Sequence, residues 1–339
     1  MSDDPCDAAT QRQSHENSER PVVCVTRRLP APVEAELGQR YDATLNPSDT
    51  AFNRASLEIA MVEADALVPT ITDRIDATLL AMPGRRVRIL ANYGAGVDHI
   101  DLAAARAAGI VVTNTPGALT EATAELAILL ILATSRRAVE GDRDLRAGAW
   151  PGWHPTHSIG QGLSGRTLGL VGFGRIAQET ARIARAFNMR IAYYGRSPAA
   201  PEVEQALEAV RMPSLTALAE AADVVSVHVP GGKGTYRMID ASFFAAMRPG
   251  AIFINTARGS VVDEAALAQV LTTGKLLAAG LDVYADEPAV HPALLTHPRT
   301  VLLPHLGSAT IEARTAMGMQ AIANLDAFFS GRETPDRVA

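Results

Sequence analysis

The stretch 168–177, which reads LGLVGFGRIA, decides the fold of this 339-residue chain. An apolar strand pattern runs into Gly-x-Gly-x-x-Ala, and a helical pattern with one apolar face follows. Gly172 permits a tight turn, and Gly174 lets the backbone approach a pyrophosphate. Ala177 keeps the helix close to the strand, and the free N–H groups at the helix start attract an anion. The stretch therefore predicts a strand, a phosphate-binding turn and a helix, which together form a dinucleotide site.

The residues after the next predicted strand indicate which dinucleotide binds. In an NAD site, an acidic residue about 20 positions beyond the first glycine accepts a hydrogen bond from the ribose 2′-hydroxyl. No acidic residue lies between Glu179 and Glu202, and the strand runs into Gly-Arg-Ser at 195–197. Arg196 can pair with a 2′-phosphate and Ser197 can donate to it, although a solvated arginine after a strand is the alternative interpretation. We predict that NADP(H) is preferred, with NAD(H) as an alternative cofactor.

Strand and helix patterns alternate on both sides of this stretch, which predicts parallel, doubly wound sheets. The segment 121–135 is dense in Ala, Leu and Ile and predicts a buried helix, whereas 146–165 predicts a long loop. The last helical pattern, 309–330, is expected to return to the first domain and to split it in sequence. The predicted strands are 22–25, 66–68, 88–91, 110–112, 167–171, 190–194, 224–228, 251–255, 278–283 and 301–303.

Composition excludes several classes of protein. Hydrophobic residues make up 47% and charged residues 20%, which is typical of a globular chain and not of a disordered or fibrous one. The 31 basic and 37 acidic residues give a net charge of −6, which argues against nucleic acid or an anionic membrane as the main partner. Two cysteines are too few for a disulfide framework.

The N-terminal segment and the apolar runs indicate where the protein acts. Residues 1–20 are polar, lack the apolar core of a signal peptide and predict a disordered tail. The longest apolar run, 126–133, is far shorter than a membrane span. We expect a soluble cytoplasmic enzyme.

Polar side chains follow the last three predicted strands. Arg258, Glu287 and His305 each come shortly after one of these strands. Because ligands of doubly wound sheets bind outside the carboxyl ends of the strands, these side chains are expected to face one crevice. The arginine can hold a carboxylate and polarise a carbonyl. The histidine can donate a proton to a developing alkoxide, while the glutamate holds the imidazole and favours its charged form. The three residues predict reduction of a 2-keto acid.

Other residues offer alternative interpretations. Any one of the three could instead be a surface residue or part of a structural pair, and Asp286 is the rival carboxylate to Glu287. His154 and His157 could suggest a metal pair, but Pro155 separates them and no third ligand is evident. No metal site is predicted.

The motifs along the chain resemble those of the D-isomer-specific 2-hydroxyacid dehydrogenase family, over essentially all of 22–334. Within that family the chain looks most like the glyoxylate/hydroxypyruvate reductases. Two departures are Ala177 at the third glycine of the fingerprint and Gly-Gly-Lys at 231–233, where many relatives have Leu-Thr. The motifs that carry the resemblance are NYGAGVDHID at 92–101, TNTP at 113–116, TEATAE at 120–125, VGFGRI at 171–176, FINTARG at 253–259, GLDV at 280–283, EP at 287–288 and PHLGSAT at 304–310.

The resemblance implies an α/β fold with two doubly wound parallel-sheet domains. A Rossmann nucleotide-binding domain at 120–308 would be inserted into a flavodoxin-like substrate domain made of 21–119 and 309–339. It also implies a homodimer formed through the nucleotide domain, in which Trp153 reaches the partner's active site.

The resemblance further implies a role for each matching residue. Arg258 would bind the substrate carboxylate and carbonyl, His305 would be the acid/base and Glu287 its partner. The N–H groups of Ala95 and Gly96 would hold the carboxylate. Cofactor contacts would come from Gly172, Phe173, Gly174, Arg175 and Ile176 at the pyrophosphate, from Gly195, Arg196 and Ser197 at the adenosine ribose, and from Thr120, Val229, Pro230, Thr256, Ala257, Asp282 and Gly307 at the nicotinamide.

These residues predict an NADPH-preferring reductase that converts glyoxylate to glycolate and hydroxypyruvate to D-glycerate. Two alternatives are a dehydrogenase for a bulkier 2-keto acid and a dinucleotide-sensing scaffold like the corepressors that share this fold. Turnover of a small 2-keto acid would distinguish the first prediction from both.

Overall fold

The computed structural model describes residues 20–339, so the disordered tail predicted for 1–20 lies, apart from Arg20, outside the described residues. The chain forms two compact units. The first comprises the described residues up to Ala118 together with Ile311–Ala339, and the second comprises Leu119–Thr310. Assignment of substrate binding to the first unit and of cofactor binding to the second stays a prediction.

The first unit contains a five-stranded parallel sheet in the order β2-β1-β3-β4-β5, which is the flavodoxin-like order. Its strands are β1 (Val22–Val25), β2 (Asp42–Thr44), β3 (Ala66–Val68), β4 (Ile89–Ala91) and β5 (Val111–Thr113). Its helices are α1 (Ala31–Arg40), α2 (Arg54–Glu63), α3 (Ala77–Leu80), α4 (Leu102–Ala107) and α13 (Ile311–Phe329).

Alternate residues of these strands build two separate cores in the first unit. Val23 and Val25 pack with α1 and α13 on one face, whereas Val22 and Cys24 pack with α2, α3 and α4 on the other. Because a sheet buried on both faces needs apolar residues at every position, β1 reads as a continuous apolar run. Burial also raises the pKa of the Cys24 thiol to about 12, so this cysteine behaves as a core residue.

The second unit contains a seven-stranded parallel sheet in the order β12-β11-β10-β9-β6-β7-β8. Its strands are β6 (Thr167–Val171), β7 (Arg190–Tyr194), β8 (Ala209–Arg211), β9 (Val224–Val227), β10 (Ala251–Asn255), β11 (Leu276–Leu281) and β12 (Thr300–Leu302). Its helices are α5 (Thr120–Ser135), α6 (Ala138–Arg146), α7 (Arg175–Ala186), α8 (Pro201–Leu207), α9 (Leu215–Ala221), α10 (Ala241–Ala246), α11 (Glu264–Thr272) and α12 (Pro292–Thr296), with a short 3-10 turn at Gly259–Val261.

The strand order of the second unit reverses between β6 and β9. In a doubly wound sheet this reversal opens a crevice at the carboxyl ends of the two strands, and ligands bind there. The sheet is buried on both faces: α5 and α7 pack on one side, and α9, α10 and α11 pack on the other. The predicted class, two parallel-sheet α/β domains, is confirmed.

Several predicted boundaries need correction. Strands β2 and β8 are missing from the sequence prediction, because each is a three-residue edge strand that exposes polar side chains and carries no apolar run. The strand predicted at 278–283 is wrong by two residues at each end, since β11 ends at Leu281. Asp282 then turns its carboxylate toward the backbone of a later loop instead of continuing the strand.

Candidate active site

The turn after β6 uses its two glycines for different reasons. Gly172 has a φ of +89°, and a Cβ there would lie 2.7 Å from the carbonyl oxygen of His228 and 2.9 Å from Val229 Cγ1. The turn therefore requires glycine for both its backbone conformation and its contact with the chain after β9. A Cβ on Gly174, by contrast, would meet no atom within 4 Å. The space over Gly174 is open at the reversal of strand order, where a dinucleotide pyrophosphate would approach the backbone.

Helix α7 begins at this turn with free hydrogen-bond donors. Its N-cap is Gly174, which has no side chain to accept from the first-turn N–H groups. The helix start therefore combines unpaired donors with the positive end of the helix dipole, an environment that suits a phosphate. Phe173 stacks its ring on Tyr193 with ring centroids 4.0 Å apart, while Ala177 is fully buried against the sheet. Arg175 is exposed and Ile176 is half-buried beside the turn.

The end of β7 carries the residues predicted to contact the adenosine ribose. Arg196 and Ser197 are exposed just beyond the strand, and Gly195 is half-buried. A second arginine lies beside them: Arg211 of β8 donates from Nη2 to the carbonyl oxygen of Gly195 at 3.1 Å. Arg211 carries no signal of its own in the sequence, because only the pairing of β7 with β8 places it beside this loop.

His228, which follows β9, is a further residue of the site whose role is not evident from the sequence. Its Nε2 lies 2.8 Å from the hydroxyl of Ser226. Burial lowers the pKa of its imidazole to about 4, so His228 is neutral at physiological pH. Gly172 packs against the backbone carbonyl of this same residue.

Two of the residues predicted near the nicotinamide, Thr256 and Asp282, are buried polar residues. Thr256 is buried, and its Oγ1 has no hydrogen-bond partner among residues 20–339, so it could accept or donate a bond to a bound group. Asp282 is fully buried, and its two carboxylate oxygens accept from the N–H groups of Leu306 and Gly307 at 2.6 and 2.8 Å. Burial raises the pKa of Asp282, although the Leu306 N–H opposes that rise. Asp282 therefore holds the loop after β12, and its predicted contact with the cofactor stays a proposal.

Four other predicted cofactor contacts lie in the second unit. Val229 and Ala257 are half-buried and pack against its core, and Pro230 is exposed in the loop after β9. Thr120 is the first residue of α5. Their contacts with a cofactor stay proposals.

His305 and Glu287 form a hydrogen-bonded pair. His305 Nδ1 lies 2.8 Å from Glu287 Oε2, and the other glutamate oxygen accepts from the N–H of Tyr284 at 3.0 Å. Burial pushes the pKa of Glu287 up, but the hydrogen bond and charge of His305 outweigh it, so the pKa is lowered. His305 has a φ of +55°, a strained conformation for a non-glycine residue, and its N–H donates to the carbonyl oxygen of Asp282 at 2.8 Å.

Arg258 lies close enough to this pair that its charge helps to lower the pKa of Glu287. Asn255, the last residue of β10, holds the arginine segment through both side-chain atoms. Its Oδ1 accepts from the N–H of Ala257 at 3.0 Å, and its Nδ2 donates to the carbonyl oxygen of Arg258 at 2.9 Å. Because β10, β11 and β12 are neighbours in the sheet, the structure brings Arg258, Glu287 and His305 together at one edge. Asp286, the rival carboxylate, is exposed, and it is Glu287 that bonds the imidazole.

In the first unit, the predicted carboxylate-binding loop follows β4. Asn92 donates from Nδ2 to the carbonyl oxygens of Gly94 and Gly96, both at 2.9 Å, and Asn114 donates to the carbonyl oxygen of Ala95 at 2.7 Å. His99 Nε2 lies 3.0 Å from Asn92 Oδ1 and orients that amide. Two asparagine side chains thus hold the loop carbonyls in place, a role that is not evident from the sequence.

The long loop after α6 carries the remaining residues of interest. Trp153 is 81% exposed. The rings of His154 and His157 touch edge to face with centroids 5.1 Å apart. Among residues 20–339, no group of three or more His, Cys, Asp or Glu side chains is arranged to hold a metal ion. No helix within that range is long and apolar enough to cross a membrane.

The glycine turn and the carboxylate–imidazole pair lie at the same edge of one doubly wound sheet, which defines a nicotinamide-dinucleotide-dependent oxidoreductase. The profile of the family described as "D-isomer specific 2-hydroxyacid dehydrogenase, NAD binding domain" matches residues 128–307. The chain belongs to this family, as its sequence motifs predict.

Known relatives and solved structures are similar to this chain over nearly its whole length. A protein of Thermococcus litoralis named glyoxylate reductase is 43% identical over 94% of this chain and 97% of its own length. The NADPH-dependent glyoxylate/hydroxypyruvate reductase of Sinorhizobium meliloti, solved in complex with NADP and malonate, is 36% identical with a TM-score of 0.83, over 95% of this chain and 97% of that one. The D-mandelate dehydrogenase of Rhodotorula graminis is 31% identical with a TM-score of 0.84, over 95% and 98%.

Proposed function

We propose that the protein is an NADPH-preferring reductase that converts glyoxylate to glycolate and hydroxypyruvate to D-glycerate. The observation that carries the proposal is the bond of 2.8 Å between His305 and Glu287 at the edge of the sheet that holds the glycine turn. The names of the Thermococcus and Sinorhizobium relatives support these small 2-keto acids as substrates.

The proton would come from Nε2 of His305. Glu287 has a lowered pKa, is ionised at neutral pH and can only accept hydrogen bonds. Nδ1 of His305 therefore carries the hydrogen in their shared bond, and the opposite ring nitrogen is the one left to protonate the developing alkoxide. Arg258 would bind the carboxylate and polarise the carbonyl oxygen, with the N–H groups of Ala95 and Gly96 as further donors.

The residues present fit a dinucleotide cofactor, because the space over Gly174 is open and Thr256 Oγ1 is an unsatisfied buried hydroxyl among the described residues. When bound, NADPH would supply the hydride. Arg196 would pair with the 2′-phosphate, and Ser197 would donate to it. The absence of an acidic side chain between Glu179 and Glu202 supports this preference.

Loss of absorbance at 340 nm, with NADPH and NADH run in parallel, tests the proposal. We expect fast NADPH oxidation with glyoxylate and hydroxypyruvate, and slow oxidation with pyruvate and phenylpyruvate. His305→Ala should reduce turnover about 10²-fold or more and leave NADPH binding unchanged. Turnover like that of the wild type in this variant would remove His305 from the mechanism.

Arg196→Ala should raise the KM for NADPH about tenfold and leave the KM for NADH unchanged. Arg190→Ala is the matched control, because Arg190 is an exposed arginine at the opposite end of the same strand. Equal weakening of both cofactors would show that Arg196 does not distinguish the 2′-phosphate.

A dehydrogenase for a bulkier 2-keto acid is the second candidate, and the similarity to the Rhodotorula D-mandelate dehydrogenase favours it. Preference for phenylpyruvate over glyoxylate in the same assay would select that function.

The surface of the second unit supports the proposal of a homodimer. Large apolar side chains are exposed along α5, α6 and the following loop, where a single chain would leave them in water. A second copy of this chain is the proposed occupant, and Trp153 would then reach the partner's site. The exposed side chains are Leu129, Val139, Leu145, Trp150, Trp153 and Ile159.

A further inference from the structure

The residues 283–288, here called the strap, follow β11 and carry Glu287. The strap belongs to no helix or strand, so its position depends on the contacts that other segments make with it. Glu287 must nevertheless meet His305 within hydrogen-bond distance for the proposed acid–base chemistry. Besides the bond between Glu287 and His305, three contacts with other segments hold the strap in place.

The first contact comes from the arginine segment. A Cβ on Gly259 would lie 1.8 Å from the carbonyl carbon of Tyr284 and 2.3 Å from the nitrogen of Ala285. The backbone after Arg258 therefore packs directly on the backbone of the strap. The second contact is the phenol of Tyr284, which donates to the carbonyl oxygen of Leu303 at 2.9 Å and ties the strap to the loop that carries His305.

The third contact comes from Glu264, in the first turn of α11. Its Oε1 accepts from the N–H of Ala285 at 2.8 Å. The next residue back along the strap, Tyr284, donates its own N–H to Glu287 Oε1 at 3.0 Å. Two consecutive N–H groups of the strap are thus held by two glutamates, one on the helix and one in the proposed acid–base pair.

The placement of Glu264 opposes its own ionisation. Burial raises its pKa, the Ala285 N–H and His291 lower it, and the neighbouring charges of Asp286 and Glu287 raise it again. A half-buried carboxylate beside two other acids costs folding free energy, and its bond to the strap is the interaction gained in return.

We propose that Glu264 is a positioning residue that holds the strap so that Glu287 meets His305. This inference rests on the proposed acid–base function of that pair. The active element is the hydrogen bond to Ala285, so an amide oxygen at the same position would replace the carboxylate, whereas a methyl group would not.

Steady-state kinetics of Glu264→Ala and Glu264→Gln, with kcat and the KM for NADPH measured separately, tests the inference. Loss of the bond to Ala285 would misplace Glu287 relative to His305 and slow the proton transfer, while cofactor binding would not change. Glu264→Ala should therefore lower kcat about tenfold, less than removal of the acid itself. Glu264→Gln should keep the rate of the wild type, and the KM for NADPH should not change in either variant.

Glu220→Ala is the matched control, since Glu220 is an exposed glutamate on α9 of the same unit. The inference is overturned if Glu264→Ala loses rate only in proportion to its folded fraction. It is also overturned if Glu264→Gln behaves like Glu264→Ala, because charge and not the hydrogen bond would then be responsible.

Imidazole N–H NMR separates failure of this inference from failure of the proposed function. The ring N–H signal that Glu287→Ala removes reports the bond between Glu287 and His305 without any turnover. We expect Glu264→Ala to broaden or shift that signal and Glu264→Gln to retain it. An unchanged signal in Glu264→Ala overturns the positioning role, even where the reductase assay fails for another reason.

Discussion

The two glycines after β6 respond differently to a methyl group. Gly172 has a positive φ and no space for a Cβ, whereas Gly174 has a negative φ of −78° and open space above it. The packing of the protein therefore does not require glycine at 174, whereas the proposed pyrophosphate would.

Gly174→Ala should lower the free energy of unfolding by no more than about 1 kcal/mol, since alanine caps a helix less well than glycine but adopts the extended backbone of this position without strain. It should raise the KM for the dinucleotide about tenfold or more, because the methyl group occupies the space over the helix start. Gly172→Ala should instead lose about 2 kcal/mol or more of stability, from the positive φ and the overlap with His228. Urea unfolding measures the stability of the two variants, and cofactor titration measures their dinucleotide binding. Normal cofactor binding by Gly174→Ala would contradict the placement of the pyrophosphate.

His228 should make the folded protein sensitive to mild acid. Its folded-state pKa of about 4 lies below its ordinary value of 6.5, so the unfolded chain takes up the proton first as the pH falls. The stabilising contribution is present above pH 6.5 and is lost as the pH falls toward 4. Between pH 7 and pH 5 we expect a loss of about 2 kcal/mol from this group.

Urea unfolding of His228→Asn at the two pH values checks that expectation. The variant should show a smaller difference between pH 7 and pH 5 than the wild type does. His154→Asn, at an exposed position, should leave the difference unchanged. An identical pH dependence in wild type and His228→Asn would remove His228 as the cause.

At the scale of the element, the segments after β10, β11 and β12 depend on one another. Gly259 packs on the strap backbone, Tyr284 ties the strap to the chain before His305, and Asp282 holds the N–H groups of Leu306 and Gly307. We therefore expect a displacement of one segment to move the side chains of the other two.

Gly259→Ala should disturb all three segments, since its Cβ would overlap backbone that no side-chain rotation can relieve. We expect a loss of about 1–3 kcal/mol in stability and a fall in kcat of about 10²-fold from misplacement of the reacting groups. Gly141→Ala is the control, because Gly141 lies within α6 with open space around it and should gain about 0.5–1 kcal/mol. Wild-type turnover in Gly259→Ala would show that the segments move independently.

At the scale of the whole molecule, the exposed apolar side chains on α5, α6 and the following loop predict self-association. Sedimentation should give twice the mass of one chain at micromolar concentration. Paired substitution Val139→Glu and Leu145→Glu should shift the equilibrium to the single chain, since charges within an apolar interface lack partners. Ile59→Glu, at an exposed apolar position on α2, should not. A single-chain mass for the wild type would contradict the proposed homodimer.

Much of the site could be predicted, because local chemistry restricts where certain residues are useful. A glycine turn between a strand and a helix, and polar residues just beyond strand ends, are visible in the order of the residues. Edge strands β2 and β8 could not be predicted, because pairing and not apolar content defines them. The local sequence around Arg211, His228 and Glu264 also gives no indication of their roles, because contacts with segments distant in the sequence define those roles.

The sequence by itself determined the alternation of strands and helices, the dinucleotide turn and the residue types available for chemistry. These depend on hydrophobic period, glycine conformation and spacing along the chain. Only the tertiary structure decided that Glu287 and not Asp286 bonds His305. It also decided that both carboxylate oxygens of Asp282 accept hydrogen bonds from the loop after β12. Such choices depend on distances between residues far apart in the chain, and those distances exist only once neighbouring strands have paired and the side chains between them are buried.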